Sequence, residues 1–404
     1  MLTLDAAREL ILRTIERAAP TAVPLDDALG RIVAEDIRSD VDSPPFDKSL
    51  MDGFAVRACD VATGTAELRI LERILAGMLP TMPVGPGEAT QIMTGAPLPA
   101  GVDAVVRIED CELAGDTVRI SVAGLRPGTS IIRQGTNLKA GAVVLAAGTR
   151  LQPAHIGTAA EIGRSHLLVF PRPTVAVLAT GDELVPIDHT PGPGQIRNSN
   201  EAMLMAQIAA AGGMPVPLGI ARDQRVELRA GIERGLLCDV LVLSGGVSAG
   251  AADLVPSELA AAGVRQVFHK VELKPGKPIW FGVQARAEGG RCYVFGLPGN
   301  PVSSLVCFEL FVKLALRILQ DRSPAIPEAV DARLTHAHQQ PNDRPTMHLA
   351  QLTHTTTGPE VSLVPWHGSS DLAATIHANA MAFLSGEPRD YQPGDLLPTT
   401  PWRD

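Results

Sequence analysis

A chain of 404 residues is too long for one ordinary hydrophobic core and requires about two to four domains. With 45% hydrophobic and 20% charged residues the composition is that of a folded globular protein, which excludes disorder; aromatics at 3% leave Val, Leu, Ile and Ala to build the cores. The formal charge of −9 provides no broad basic face, which argues against nonspecific nucleic-acid binding, whereas a small anionic ligand needs only a local basic cluster.

The first element is an amphipathic helix. Thr3 can cap it, and Leu4, Ala7, Ile11, Ile15 and Ala18 recur at spacings of three and four. Asp5, Arg8, Glu9 and Arg13 are out of place in a signal peptide. No apolar run reaches the roughly 18 to 20 residues of a membrane span, so no membrane association is expected. Residues 46–142, rich in Gly and Pro with short runs such as Ala104–Ile108 and Thr117–Val122, read as an irregular β domain. Residues 143–172 include a candidate helix Pro153–Gly163, and Pro171-Arg172-Pro173 marks a boundary. From 174 to about 320 strands and helices alternate, with helices expected at Glu201–Ala211, Gln224–Gly235, Asp253–Ala262 and Pro301–Gln320. That pattern is a doubly wound α/β domain. Asn300 is a natural N-cap for the last helix and Pro301 a natural first residue. Asp321–Pro327 reads as a linker, and 328–404 as a small β domain.

Three apolar runs of the α/β region end alike. Val175–Leu178 leads to Thr180, Gly181, Asp182 and Glu183. Val240–Leu243 leads to Ser244, Gly245, Gly246, Val247 and Ser248. Tyr293–Phe295 leads to Gly296, Leu297, Pro298, Gly299 and Asn300. In an open parallel sheet, loops at the carboxyl ends of the strands line one crevice, where ligands bind. Glycine lets backbone approach a phosphate without a Cβ in the way. One such loop is as readily a plain tight turn. Three in one crevice, with two carboxylates and several hydroxyls, suit a phosphorylated ligand and a metal ion.

Other segments are open to two readings. The loop Pro44–Phe54 packs Asp47 and Asp52 together, as a ligand or metal site or as a solvated turn. Thr94 beside Gly95 can hold an anion or sit in a β-turn. Lys274-Pro275-Gly276-Lys277-Pro278 is the best basic cluster, an oxyanion site or a charged turn. His336 and His338 lack a third ligand and read as surface histidines. The five cysteines, Cys59, Cys111, Cys238, Cys292 and Cys307, are scattered without CxxC, which fits buried thiols in a reducing, cytoplasmic compartment.

In chain order, PPFDKSLMDGFAV, QIMTGAPLPAGVDAVV, GAVVLAAGTRL, VAVLATGDELVP, GQIRNSN, LSGGVSAGAAD, LKPGKPIWFG and FGLPGNPVSS are spread from Pro44 to Ser304. Together they resemble the molybdopterin molybdenumtransferase (MoeA) family and its eukaryotic relative, the gephyrin E domain. Arg344-Pro345-Thr346 and His367-Gly368-Ser369 extend the resemblance more loosely. It implies a multidomain α/β plus β fold. The parts are a composite N-terminal domain (1–45 and 143–173), an inserted irregular β domain (46–142), a MogA-like molybdopterin-binding α/β domain (174–326) and a C-terminal β barrel (327–404).

The implied protein is a homodimer, with molybdopterin adenylyltransferase and apo-molybdoenzymes as possible partners. The implied reaction takes adenylylated molybdopterin and molybdate with Mg²⁺, releases AMP and leaves molybdenum on the dithiolene of the pterin. Asp182, Glu183 and Asp253 would hold Mg²⁺, with Glu183 and Asp253 the essential carboxylates. Lys274 and Lys277 would bind molybdate. Thr180, Gly181, Ser244, Gly245, Gly246, Ser248, Pro298, Gly299 and Asn300 would hold the nucleotide, with Asp52 and Thr94 brought in from the partner subunit.

The chain departs from the family at four places. Thr136-Asn137 replaces an acidic pair, Asn198 replaces Asp, Lys48 replaces Asn, and Leu349 stands where an Arg often follows. Exchanging Asp for Asn removes charge and nearly keeps shape, so the site would change by up to about two charges. The competing reading is therefore a degenerate paralogue that binds and passes on molybdopterin nucleotide with little metal insertion. A scaffold role and a nucleotidyltransferase acting through the α/β domain alone are weaker, since the latter would not need the first 170 residues.

Overall fold

The computed structural model describes residues 1–247, 254–286, 289–341 and 344–402. They form two compact units, one of Met1–Ala34, Gly148–Gln152 and His166–Asp404, the other of Glu35–Ala147 and Pro153–Ser165. The first element of the chain, α1 (Leu4–Thr14), belongs to the first unit. Thr3 Oγ1 accepts from the Ala6 N–H at 3.2 Å, and Ala7 and Ile11 are buried, as the spacing requires.

The second unit holds a six-stranded sheet of β1 (Gly53–Val56), β2 (Thr65–Ile74), β3 (Glu88–Ile92), β4 (Ala104–Arg107), β5 (Cys111–Ala114) and β6 (Thr117–Ser121). Their spatial order is β4-β1-β3-β2-β6-β5, antiparallel except for β2 with β3. Phe54 and Val56 face one buried cluster and Ala55 the other, so β1 is covered on both sides. Helix α2 (Pro153–Glu161) completes the unit.

The α/β part of the first unit comprises β7 (Thr174–Thr180), α3 (Ser199–Ala210), β8 (Met214–Ala221), α4 (Arg225–Gly235), β9 (Val240–Ser244), α5 (Val255–Ala261), β10 (Arg265–His269), β11 (Trp280–Ala285) and β12 (Arg291–Leu297). The sheet order is β8-β7-β9-β12-β11-β10. The first four strands are parallel and the last two antiparallel, an edge addition that the strand–helix alternation did not announce. Side chains alternate between two cores. Val175, Val177, Val240 and Val242 join the cluster that includes Ile11, Leu204 and Ile208, whereas Ala176, Leu178, Leu241 and Leu243 join Leu228, Ile232, Val255 and Leu259. Strands buried on both faces read as unbroken apolar runs, which is why these were visible in the sequence.

After β12 the chain forms one long helix, α6 (Pro301–Cys307) and α7 (Lys313–Leu319) joined by a π-helical turn at Phe308–Val312. The unit ends in a closed barrel of β13 (Val330–Leu334), β14 (Thr346–Thr355), β15 (Gly358–Leu363), β16 (Ala380–Leu384) and β17 (Leu396–Pro401), ordered β13-β15-β14-β16-β17. Ala350 and Leu352 of β14 fill the barrel core, while Met347 and Leu349 pack into the α/β core. His336 is exposed, as expected, but His338 is half-buried and meets the His348 ring edge-on at 5.2 Å.

Candidate active site

The three strand ends singled out in the sequence come together. Because β7, β9 and β12 are parallel neighbours, with Ala179 opposite Ser244 and Ser244 opposite Leu297, their loops leave the sheet on the same side. Gly245 donates its N–H to the Leu297 carbonyl at 3.1 Å, and Gly181 donates to Ala221 at 3.3 Å. Gly245 has φ +99°, and a Cβ there would lie 2.6 Å from the Thr180 carbonyl oxygen. The loop therefore demands glycine on both conformational and steric grounds. Gly299 approaches the Gly245 Cα, which would be 3.7 Å from a Cβ on Gly299. Thr180 and Ser244 are buried beneath the cleft, and among the described residues Thr180 Oγ1 has no hydrogen-bond partner.

Asp182 and Glu183 are exposed at the mouth. Asp182 Oδ1 accepts from the Asp223 N–H at 3.2 Å, and the Asp182 and Leu184 carbonyls accept from Arg222 Nη1 at 2.9 and 3.0 Å. The loop is thus braced by the residues that follow β8, while both carboxylate side chains stay exposed. Mg²⁺ is commonly held through one or two carboxylates plus phosphate oxygens and water, so this pair fits such an ion. Asp253 and Ser248, the other expected contributors, lie outside the described residues. Among the described residues no three His, Cys, Asp or Glu gather as an all-protein metal cage.

The basic loop is fixed by the barrel. Lys274 N donates to the Pro345 carbonyl at 2.9 Å and its carbonyl accepts from Met347 N at 2.8 Å, a parallel bridge with the start of β14. On its other side Gly276 abuts α6, where a Cβ would meet Cys307 Sγ at 2.6 Å. Lys274 is half-buried and Lys277 exposed. His348 lies within electrostatic reach of Lys274; its imidazole is held down at about 4, above all by burial and to a lesser extent by His338, Lys274 and His336, against a bond to the Leu349 carbonyl. Lys274 therefore shares its surroundings with a neutral histidine.

Asn300 begins α6, but its side chain makes no capping bond. Its Nδ2 donates instead to Ser369 Oγ at 2.9 Å, and Val302 N donates to the Ser369 carbonyl at 3.0 Å. Pro298 is buried, and Gly299 and Asn300 are exposed.

In the second unit Asp52 and Thr94 are partners. The Thr94 N–H and hydroxyl both donate to Asp52 Oδ1 at 2.7 Å, and these bonds hold the carboxyl below the usual carboxylate range. Asp47 is drawn down likewise, by the Gln134 N–H at 2.8 Å and by Arg133 at 2.6 Å. Asn137 is exposed, and its N–H donates to the Ser43 carbonyl at 2.9 Å.

Asn198 is 3% exposed and is the N-cap of α3, with Oδ1 accepting from Glu201 N at 3.3 Å and Nδ2 donating to Glu201 Oε2 at 2.8 Å. The amide thus pairs neutrally with a carboxylate where an Asp would face like charge. Asn200, two residues on, was not anticipated. It donates to Ser244 and to Gly299, contacts that only the folded chain brings together.

Comparison with known proteins bears on this arrangement. Residues 2–163 match the family described as MoeA N-terminal region (domain I and II), and residues 176–319 match the probable molybdopterin binding domain. The molybdopterin molybdenumtransferase of Bacillus subtilis (strain 168) is 35% identical over 383 residues, 92% of this chain and 87% of that protein. The chain belongs to the molybdopterin molybdenumtransferase family. The namesake from Staphylococcus aureus (strain Mu50) is 34% identical over 93% of this chain and 89% of its own. A crystal structure of a MoeA molybdopterin biosynthesis protein from Pyrococcus horikosii superposes with a TM-score of 0.84 at 32% identity, covering 100% of both chains. As a molybdopterin molybdenumtransferase family member the chain is a transferase of molybdenum cofactor biosynthesis, and the degenerate-paralogue reading is not favoured.

Proposed function

We propose that the chain inserts molybdenum into molybdopterin. It takes adenylylated molybdopterin and molybdate, cleaves the phosphoanhydride, releases AMP and leaves molybdenum on the pterin dithiolene. The observation that carries this reading is the meeting of Thr180, Gly245 and Gly299 at the carboxyl ends of three parallel strands, next to Asp182 and Glu183.

In this reading Thr180, Gly181, Ser244, Gly245, Gly246, Pro298, Gly299 and Asn300 form the cradle for the phosphates, and Ser248 is a further ligand-binding residue. Asp182, Glu183 and Asp253 hold Mg²⁺, which supplies positive charge at the pyrophosphate when bound. Lys274 and Lys277 hold molybdate and offset the negative charge that builds on the leaving phosphate. The backbone clamp from Pro345 and Met347 keeps Lys274 in place before substrate arrives, so little reorganisation is needed. The assembly is a homodimer in which Asp52 of the partner subunit and Thr94 of the partner subunit complete the cleft. Molybdopterin adenylyltransferase supplies the substrate and apo-molybdoenzymes take the product. A cytoplasmic setting is supported by five free cysteines and by the lack, among the described residues, of a helix long and apolar enough to cross a membrane.

The test is AMP release from adenylylated molybdopterin with Mg²⁺, with and without molybdate. Release that depends on molybdate is the expected result. Tight binding without release would overturn the transfer step.

A further inference from the structure

Asn200 joins two loops of the cleft that are far apart in sequence. Its Nδ2 donates to Ser244 Oγ at 2.9 Å and to the Gly299 carbonyl at 2.8 Å, partners 44 and 99 residues away. The Gly299 carbonyl can only accept, so the amide nitrogen must face it and the orientation of the side chain is settled. Oδ1 is then left buried with no donor among the described residues. An unmet buried acceptor is a standing cost, and such groups in a native fold call for a reason beyond stability. A second one lies against the same loops. Thr180 Oγ1 is unpartnered among the described residues, in a residue 5% exposed, and lies 3.0 and 2.9 Å from where a Cβ on Gly245 or Gly246 would be.

The platform beneath Asn200 is rigid. Glu201 Oε1 accepts from the Gly219 N–H at 3.0 Å on β8, and its Oε2 and N–H are engaged by the Asn198 side chain. The first turn of α3 is therefore fixed to the sheet, and Asn200 transmits that position to the β9 and β12 loops.

We infer that Asn200 is a positioning residue of this cleft: it sets the spacing between Ser244 and Gly299, the walls that receive the phosphate-bearing part of the substrate. The inference rests on the proposed reaction for the identity of that substrate. Misplacing reacting groups by about 1 Å costs on the order of a hundredfold in rate. Asn200→Ala removes both bonds. Asn200→Asp keeps the size but turns carboxylate oxygen against the Gly299 carbonyl.

The experiment uses the full chain and compares wild type, Asn200→Ala, Asn200→Asp, Ser244→Ala and the double variant Asn200→Ala/Ser244→Ala. The readouts are molybdate-dependent AMP release, binding of inorganic pyrophosphate with Mg²⁺, and melting temperature. Both Asn200 variants should lose about ten- to a hundredfold in kcat/KM, with kcat falling as well as KM rising. The double variant should fall short of the product of the single losses, because Ser244 acts in a place that Asn200 sets. Asn200→Asp decides the matter if Asn200→Ala does not fold. Kinetics within twofold of wild type, fully multiplicative losses, or losses that merely follow melting temperature overturn the inference. A wild type inert toward adenylylated molybdopterin overturns the proposed reaction instead; pyrophosphate binding then decides the geometry, and equal binding by wild type and Asn200→Asp overturns the positioning role.

Discussion

Glu258 on α5 is 0% exposed, and its carboxylate is held by two arginines of α4. Arg225 Nη1 reaches Oε1 at 2.8 Å, and Arg229 donates to Oε2 from Nε at 3.0 Å and Nη2 at 2.8 Å. The arginine side chains remain 65% and 51% exposed. Water can therefore take back the cations but not the anion, and the two ways of breaking the clamp are unequal. Arg225→Ala with Arg229→Ala strands a buried carboxylate, at a cost of about 3–5 kcal/mol. Glu258→Leu fills the space with apolar atoms and lets both guanidiniums turn to solvent, a change of within about 1 kcal/mol. The double arginine variant should thus be less stable than Glu258→Leu by roughly 2–6 kcal/mol. The three tryptophans, Trp280, Trp366 and Trp402, all lie in the unit that contains the clamp, so fluorescence-monitored urea unfolding reports on it. A double variant as stable as Glu258→Leu refutes the unequal cost.

His348 should govern part of the acid sensitivity of the same unit. Its folded value of about 4 against 6.5 means that the unfolded chain binds the extra proton first. Stability is then unaffected above pH 6.5 and falls by about 3 kcal/mol as pH drops to 4, a loss that His348→Gln should flatten in urea midpoints taken across that window. At the cleft, Gly245→Ala puts a Cβ 2.6 Å from the Thr180 carbonyl at φ +99° and should abolish pyrophosphate binding and lower the melting temperature. Gly299→Ala meets only ordinary contact at 3.7 Å and should leave the melting temperature within a degree or two. Thr94→Val removes the hydroxyl bond to Asp52 and keeps the N–H bond, so the Asp52 pKa should rise towards the ordinary carboxylate value in a ¹³C NMR titration. An unmoved Asp52 titration would refute the assigned cause.

What could be read from the sequence was what neighbouring residues encode together. β7 and β9 announce themselves because both faces are covered, and their glycine loops follow at once in the chain. β8 was missed because Pro215 and Pro217 interrupt it; an edge strand tolerates them, pairing on one side only with Val175 and Val177 of β7. Asn300 reads locally as a cap, yet its side chain is diverted to Ser369, and Asn200 reads as an ordinary early helical residue although it spans two loops. Neither bond has any local signature, since each depends on a partner at least 44 residues away. The C-terminal barrel shows the same division. Its sequence resembles the family only at Arg344-Pro345-Thr346 and His367-Gly368-Ser369, and those stretches supply the Pro345 carbonyl that takes the Lys274 N–H and the Ser369 groups that hold the start of α6. Elsewhere in the barrel, alternating apolar residues suffice to close it, and many choices meet that need. The stretches that touch the basic loop and α6 must match a fixed surface, so the part of the barrel recognisable in the sequence is the part that serves the cleft.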